Sequence, residues 1–177
     1  MMSLGNGEFE ETVQQLVQRL SGAAAQVSID HALWSCALTH RSWCNEQEHN
    51  YPNNERLEFL GDSVLQLIVT DWLLDEFPVH NEGQLSMIRH RLVNNDALFV
   101  IGVELGVPSL LRVGVGEEAQ GARVRPKMIA NAVEALIAAC YVEFGFAQTR
   151  AIVTRLFSSI LEQHGSGLTP KQVFQEW

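Results

Sequence analysis

Three carboxylates lie at helical spacing within a stretch that is otherwise rich in apolar residues. Glu55, Glu58 and Asp62 stand at positions i, i+3 and i+7 in the sequence ERLEFLGDSVL at 55–65. On a helix of 3.6 residues per turn, their side chains fall within roughly 60° of one another. Apolar residues cover most of the remaining circumference, so we expect the helix to be buried nearly all round. Its carboxylates would then be buried or half-buried.

Clustered carboxylates in such a setting favour a bound cation. Like charges on one helix face destabilise even an exposed helix by about 0.2–0.5 kcal/mol per pair, and an apolar environment strengthens the repulsion. Hard oxygen ligands without nearby cysteine or histidine ligands are typical of Mg²⁺ or Mn²⁺ rather than Zn²⁺. We therefore predict a divalent metal site, with Mg²⁺ as the expected cofactor and Mn²⁺ as a second option.

A second apolar segment carries polar residues that would complete this site. Within 127–141, Asn131 and Glu134 stand at positions i and i+3 and share one face of a predicted helix. If the two helices packed face to face, these residues would join Glu58 and Asp62 in one oxygen-rich site, as in metal sites inside helix bundles. The four are the predicted metal ligands.

Four segments, in order along the chain, resemble the ribonuclease III family. Segment 55–65 is similar to the signature motif of that family. The other three are ALTHRSWCNE at 37–46, EGQLSMIRHRLVNN at 82–95 and GEEAQGARVRPKMIANAVEALIAACYVEFG at 116–145. Together they cover most of the chain, and chance similarity over four ordered blocks is negligible.

This resemblance implies an all-α fold, the helical endonuclease-domain fold of ribonuclease III, assembled as a homodimer. It also implies metal-dependent cleavage of double-stranded RNA that leaves a 5′-phosphate and a 3′-hydroxyl. The metal-binding acids of the family fall on Glu58, Asp62, the position of Asn131, and Glu134. Asp62 and Glu134 are the implied catalytic residues. Phe59 is implied to pack across the dimer interface, with plain core packing as the alternative.

Asn131 departs from the family pattern, which has an aspartate at that place. A carboxamide offers one neutral acceptor oxygen where a carboxylate offers two anionic ones, so Mg²⁺ should bind more weakly. Two-metal cleavage of a phosphodiester depends on accurate placement of its ligands. We therefore predict a large loss of turnover, with RNA binding and dimerisation preserved.

Three interpretations of Asn131 remain open: a natural relative that does not cleave, a recent or deliberate substitution, and a neutral ligand that the site tolerates. The other acids remain in place, which favours the recent or deliberate change.

The alternative function is a non-cleaving RNA-binding or ribosome-associated scaffold. A helical di-metal oxidase is disfavoured because the acid helices carry no Glu-x-x-His pair.

Six further polar residues are candidates for supporting the site or contacting RNA. The basic ones belong to two groups, one with His90 and one with Arg123, and a solvated surface is the simpler interpretation of both without the resemblance. For Glu82, an exposed glutamate at a helix start explains the sequence equally well. The six candidates are Glu55, Glu82, Arg89, Arg91, Arg125 and Lys127.

The composition fits one helical domain. Of 177 residues, 46% are hydrophobic, which is enough to bury a single substantial core. Helical periodicity dominates and no strand alternation is convincing. We expect a first helix around 9–20, further helices at about 30–38, 55–76, 82–94, 95–105, 126–145 and 147–164, and a loop at 112–124.

The C-terminal residues indicate a boundary. We assign 1–164 to the nuclease domain and 165–177 to a linker and the start of a further helix, because a Gly-Ser-Gly stretch precedes a capping-box pattern. In the family, a similar segment leads into a double-stranded RNA-binding domain, which would be absent from this chain.

The net charge of −9 opposes RNA binding, since RNA affinity rests mainly on lysine and arginine. Clustered acids account for part of this excess, and a bound metal would offset several of them locally. Double-stranded RNA therefore stays the expected partner.

The sequence favours a cytoplasmic protein. It has no apolar run near about 18 residues and no basic segment before an apolar one, so we expect no membrane partner. Cys36, Cys44 and Cys140 lack CxxC spacing, which is typical of reduced thiols. The set His40, Cys44 and His49 fits no common zinc spacing and lacks a fourth ligand.

Overall fold

The structure is a computed structural model that describes residues 6–22 and 28–164. In these ranges all regular elements are helices, which confirms the predicted all-α fold. The described residues also contain one isolated parallel bridge, between Thr39 and Arg112. The helices are α1 Asn6–Ser21, α2 His31–Ala37, α3 Arg41–Cys44, α4 Glu55–Glu76, α5 Glu82–Leu92, α6 Asn95–Glu104, α7 Val107–Leu110, α8 Val115–Ala119 and α9 Pro126–His164, with a 3₁₀ turn at Ala122–Val124. The predicted linker at 165–177 lies outside the described residues.

Helices α4 and α9 cross at the centre of the molecule and make its most extensive helix pair. Gly61 lies at the crossing, where a Cβ atom would overlap the backbone carbonyl of Glu134. The two backbones can approach so closely only because glycine has no side chain. Residues one turn either side of Gly61 on α4 therefore face those around Glu134 on α9.

The start of α4 is fixed by backbone and side-chain contacts. The buried Asn54 donates its N–H to the Thr39 carbonyl at 2.9 Å, and the Asn53 side chain accepts from the N–H of Glu55 at 3.0 Å. At the far end, α4 ends at Glu76, as the sequence predicts, two residues before Pro78.

Helix α9 supplies much of the core, and it is broken at Gly145, whose φ of 75° and ψ of 175° are not helical. This break separates the two helices predicted at 126–145 and 147–164. The segment Pro126–Ser158 is long and apolar enough to span a membrane by length and composition alone, which corrects the expectation that the chain has no such run. Since 56% of its most apolar window is buried inside the molecule, a core helix accounts for its composition.

The expectation that α4 is buried nearly all round is wrong. Its apolar residues on the α9 side are buried, but Phe59, Leu67 and Leu74 are 79%, 58% and 57% exposed. Helix α9 covers only one side of α4, so this second apolar face lies on the surface. Large apolar side chains exposed along one face of a helix are typical of an interface.

The segment 112–124 is not the simple loop that its glycines predict, because it contains α8 and the 3₁₀ turn. The start of α8 depends on contacts with residues distant in sequence. The N–H of Gly114 donates to Ser42 Oγ at 2.9 Å, and the N–H of Val115 donates to Glu46 Oε2 at 3.0 Å. Such contacts leave no periodic signal in the segment itself.

Candidate metal centre and RNA-binding surface

The crossing of α4 and α9 brings the four predicted ligands to facing sides of the two helices. The side chain of Asn131 forms a hydrogen bond with the Glu58 carboxylate, and the charge of Asp62 acts on the same carboxylate. The charges of Asp62 and Glu58 also act on Glu134. Gly61 thus sets the distance between the two helices. The charge is carried by Glu58 and Asp62 on α4 and by Glu134 on α9.

Burial and mutual repulsion raise the pKa of two of these acids. Burial is the largest cause for Glu134, followed by the charges of Asp62 and Glu58, and together they raise its pKa from 4.5 to about 7. Burial also raises the pKa of Glu58, and the hydrogen bond from Asn131 opposes that shift. Both residues are half-buried, as predicted, whereas Asp62 is exposed and does not fit the expectation of burial.

The donor chemistry of this cluster fits a divalent cation. Three carboxyl groups and one carboxamide face each other, and burial together with the charges of Asp62 and Glu58 raises the pKa of Glu134 to about 7. A cation would relieve this repulsion. In the described part of the chain, however, no three histidine, cysteine or acidic side chains converge closely enough to hold a metal as they stand. The ligand roles of the four residues therefore stay predictions.

Glu55 and Glu82 lie in different surroundings. Glu55 is 51% exposed at the start of α4, its Oε1 atom lies 3.2 Å from Arg41 Nη1, and its charge acts on Glu58. Glu82 begins α5, where its Oε1 accepts from Ser86 Oγ at 2.7 Å. Glu55 therefore borders the acid cluster, whereas the described contacts of Glu82 lie on α5.

Arg89 and Glu82 line a cavity between α4 and α5. Arg89 Nη1 donates to Thr70 Oγ1 at 2.9 Å, so its guanidinium is turned toward α4. Arg91 is exposed near the end of the same helix. The cavity has a volume of about 380 Å³ and is lined by Thr70, Leu73, Leu74, His80, Glu82, Leu85, Ser86 and Arg89.

The second basic group divides between structural and exposed positions. Arg123 donates to the backbone carbonyls of Pro108 and Leu111 and to Glu118, so it holds the loop before α9 together. Arg125 is paired with Glu117 at 2.8 Å. Lys127 is exposed on the first turn of α9, and its charge lowers the pKa of Glu58. Lys127 thus lies beside the acid cluster.

One polar arrangement near the cluster, around His40, was not predicted from the sequence, where His40 belongs only to a set without zinc spacing. His40 precedes α3, and its Nδ1 atom accepts from the N–H of Ser42 at 3.2 Å. The charges of Glu55 and Arg125 act on its imidazole. The signal was present in the segment 37–46, which matches the family, but only the folded chain places that segment near Glu55.

Taken together, the helical fold and the half-buried acid cluster at its central crossing define a class: an all-α domain with a carboxylate-rich site. A family model described as Ribonuclease-III-like matches residues 30–160. The chain belongs to the ribonuclease III family.

Curated relatives support the same assignment. Ribonuclease 3 from Dechloromonas aromatica is 41% identical over 151 residues, which are 84% of this chain and 65% of that protein. Ribonuclease 3 from Thermobifida fusca is 41% identical over 172 residues, which are 96% of this chain and 66% of that protein. The chain therefore spans just under two thirds of the length of these two relatives.

Solved structures share the fold. The nuclease domain of ribonuclease III from Campylobacter jejuni, described with a region involved in dimer formation, has a TM-score of 0.74 and 35% identity. The match covers 83% of this chain and 96% of that domain. Dicer from Pichia stipitis has a TM-score of 0.56 and 30% identity over 77% of this chain and 58% of that one.

Proposed function

We propose that this chain is the nuclease domain of a metal-dependent endoribonuclease that processes double-stranded RNA to 5′-phosphate and 3′-hydroxyl ends, and that Asn131 impairs its turnover. One observation carries the proposal. Glu134 is half-buried, has a pKa of about 7, and faces Glu58 and Asp62 across the helix crossing at Gly61. A folded protein tolerates such repulsion where the site has a ligand that removes it.

Glu58, Asp62, Asn131 and Glu134 would hold Mg²⁺ or Mn²⁺. When bound, the cation supplies Lewis-acid chemistry, making hydroxide available from water and stabilising the leaving oxygen. Glu134 has a pKa suited to taking up and releasing a proton at its carboxylate near neutral pH. Glu58 and Asp62 contribute negative charge on the opposite helix, and Asp62 is the acid most open to solvent.

Asn131 acts on this cluster in two ways. Its amide N–H donates to the Glu58 carboxylate and so opposes the rise in that group's pKa. It also contributes no negative charge, so the cluster has three carboxylates where the family pattern has four. The site is thereby easier to fold without metal and weaker as a metal site, which is the physical basis of the proposed loss of turnover.

RNA would approach along the margin of the acid cluster. Lys127 is exposed beside Glu58, and Arg41 and Arg125 lie at the same border, each paired with a carboxylate. Phosphate oxygens could replace those carboxylates as partners of the guanidinium groups. This local clustering is how a chain with a net charge of −9 would bind a polyanion. Arg91 and Arg89 on α5 are further candidates.

The domain would act as a homodimer. Phe59 is 79% exposed on α4, and the α4–α5 cavity begins at Thr70 on the same helix. The two lie about 16 Å apart along α4, at 1.5 Å per residue. Antiparallel packing of two α4 helices would place each Phe59 against the cavity of the other copy and cover Leu67 and Leu74. Both scissile strands of a duplex would then face an acid cluster.

The deciding experiment compares this chain with its Asn131→Asp variant on a long RNA duplex in Mg²⁺ and in Mn²⁺, with binding measured in Ca²⁺. We expect both proteins to bind and only the variant to cleave with multiple turnover. Ordinary turnover by the parent chain would refute the proposed impairment. Glu134→Gln in the variant is the matched control and should abolish the regained cleavage.

A non-cleaving RNA-binding or ribosome-associated scaffold is the second candidate. The hydrogen bond between Asn131 and Glu58 favours it, because this bond stabilises the cluster without a metal. Binding without cleavage by either protein would support this candidate. In either case we propose a cytoplasmic protein, where the thiols of Cys36, Cys44 and Cys140 stay reduced.

A further inference from the structure

The ring of His40 is held in one orientation by a short chain of hydrogen bonds. Its Nδ1 atom lies 2.7 Å from Ser42 Oγ and accepts from the Ser42 N–H at 3.2 Å. Ser42 Oγ in turn accepts the N–H of Gly114 at 2.9 Å. The Ser42 N–H is directed at Nδ1, and the Ser42 hydroxyl can donate to the same nitrogen. Nδ1 is thus an acceptor, and the ring hydrogen of neutral His40 must lie on Nε2.

The surroundings of His40 keep it neutral. Burial is the largest influence on its pKa and lowers it; the charges of Glu117 and Glu55 oppose this shift, and those of Arg41 and Arg125 add to it. His40 is only partly buried. Because Nδ1 accepts the Ser42 N–H, the Nε2 atom of the neutral ring carries the N–H donor, and the contacts with Ser42 orient it.

His40 and the acid cluster share one charged neighbour, Glu55. Glu55 acts on both His40 and Glu58, and it is held by Arg41 at 3.2 Å. On the other side, Arg125 is held by Glu117 at 2.8 Å. His40 thus lies among two guanidinium groups whose carboxylate partners an incoming phosphate could displace.

We propose that His40 is a positioning residue that donates its Nε2 hydrogen to a non-bridging phosphate oxygen of the RNA strand at the acid cluster, and that Ser42 and Gly114 fix the ring for this contact. The inference rests on the proposed function, since it names a contact within the same RNA-binding site. A neutral donor adds direction without adding charge. It complements Arg41 and Arg125, whose long side chains supply charge but less fixed geometry.

Two substitutions separate this contact from the structural role of His40 before α3. Asparagine is a favoured residue before a helix and can accept the Ser42 N–H in place of Nδ1, but it removes the donor at Nε2. Glutamine can extend an N–H toward the Nε2 position, yet it is a poorer acceptor for the Ser42 N–H. His40→Asn thus tests the donor, and His40→Gln tests its partial return. His49→Asn, at an exposed histidine, is the matched control.

The experiment measures binding of an RNA duplex in Ca²⁺ across a series of salt concentrations, together with thermal unfolding of each protein. We expect His40→Asn to weaken binding about tenfold with little change in Tm, since a hydrogen bond to a charged group is lost. The slope of log K against log salt should stay the same, because no cation leaves the interface. Arg125→Gln should reduce that slope by about one. His40→Gln should regain part of the affinity at a lower Tm.

Each other outcome has a definite meaning. If the parent chain binds duplex RNA and His40→Asn binds equally well, the assignment to His40 is overturned while the proposed function stands. If His40→Asn and His40→Gln weaken binding equally and both lower Tm, His40 is a structural residue and the assignment is again overturned. A parent chain that binds no duplex would overturn the proposed function and this inference with it.

Discussion

Substitution of Asn131 by aspartate should destabilise the metal-free protein. In the parent chain, the Asn131 amide donates to Glu58, and burial together with the charges of Asp62 and Glu58 already raises the pKa of Glu134. An aspartate at this place cannot donate when ionised, and it brings a fourth negative charge to the cluster. Both changes act in the same direction, so chelator should reveal a less stable variant.

The size of the effect follows from these two changes. A hydrogen bond to a charged group contributes about 1.5–3 kcal/mol when buried, which half-exposure to solvent reduces to about 1 kcal/mol. Repulsion from the neighbouring carboxylates adds about 1 kcal/mol at the effective dielectric of a partly exposed site. The sum is about 2 kcal/mol, or a fall in Tm of about 4–8 °C for a domain of this size.

Thermal unfolding at pH 8 in chelator and in excess Mg²⁺ gives the test. In chelator the Asn131→Asp variant should melt below the parent chain. In Mg²⁺ the difference in Tm between the two proteins should narrow or change sign. Ligand at about 100 times its Kd stabilises the folded state by about 2.7 kcal/mol, and we expect the variant to bind Mg²⁺ more tightly. A variant that is as stable as the parent in chelator, or more stable, would refute the reasoning from charge repulsion.

Three further substitutions test other parts of the site. Glu134→Gln should remove a pH dependence of the free energy of unfolding. Because the pKa of Glu134 is raised from 4.5 to about 7 in the folded state, the stability that this group contributes is fully present below pH 4.5 and is lost as pH rises through 7. Between pH 5 and 8 in chelator, urea unfolding should show that the parent loses about 2 kcal/mol more than the variant, after discounting for solvent exposure; equal losses would contradict this. Gly61→Ala should cost about 3 kcal/mol because of overlap with a backbone carbonyl, whereas Gly83→Ala, whose Cβ would meet Asn81 Oδ1 at an ordinary van der Waals distance of 3.5 Å, should be neutral or stabilising in the same assay. Phe59→Ala should convert a dimer to a monomer by light scattering at micromolar concentration, while Val115→Ala, at another exposed apolar residue, should not; a parent chain that is already monomeric would refute the dimer.

The long helices were predictable from local sequence. Helix α4 has the predicted bounds, 55–76, because an apolar run with helical spacing begins after two asparagines and ends before Pro78. The break at Gly145 also has a local cause, since glycine adopts a positive φ without strain. Helical spacing predicts that Glu58 and Asp62 share one helix face and that Asn131 and Glu134 share another. That the two faces meet depends on the packing of α4 against α9 at Gly61.

The short helices and the roles of the arginines were not predictable in this way. Helix α8 depends on Ser42 and Glu46, which lie about seventy residues earlier in the chain. Arg123 belongs to a basic run in the sequence, yet the folded chain uses it to bind backbone carbonyls before α9. Whether a charged side chain faces solvent, a neighbouring helix or a ligand is decided by tertiary contacts, which have no local signature.

The acid cluster shows why the fold tolerates an asparagine at position 131. The position of the cluster is set by the α4–α9 crossing, and that crossing depends on Gly61 and on apolar packing rather than on charge. Asn131 has almost the shape of aspartate and reduces the repulsion around Glu58, so it leaves this packing intact. We expect the missing charge to matter only when the site must hold a cation. Stability without metal and affinity for metal therefore depend in opposite ways on the same side chain.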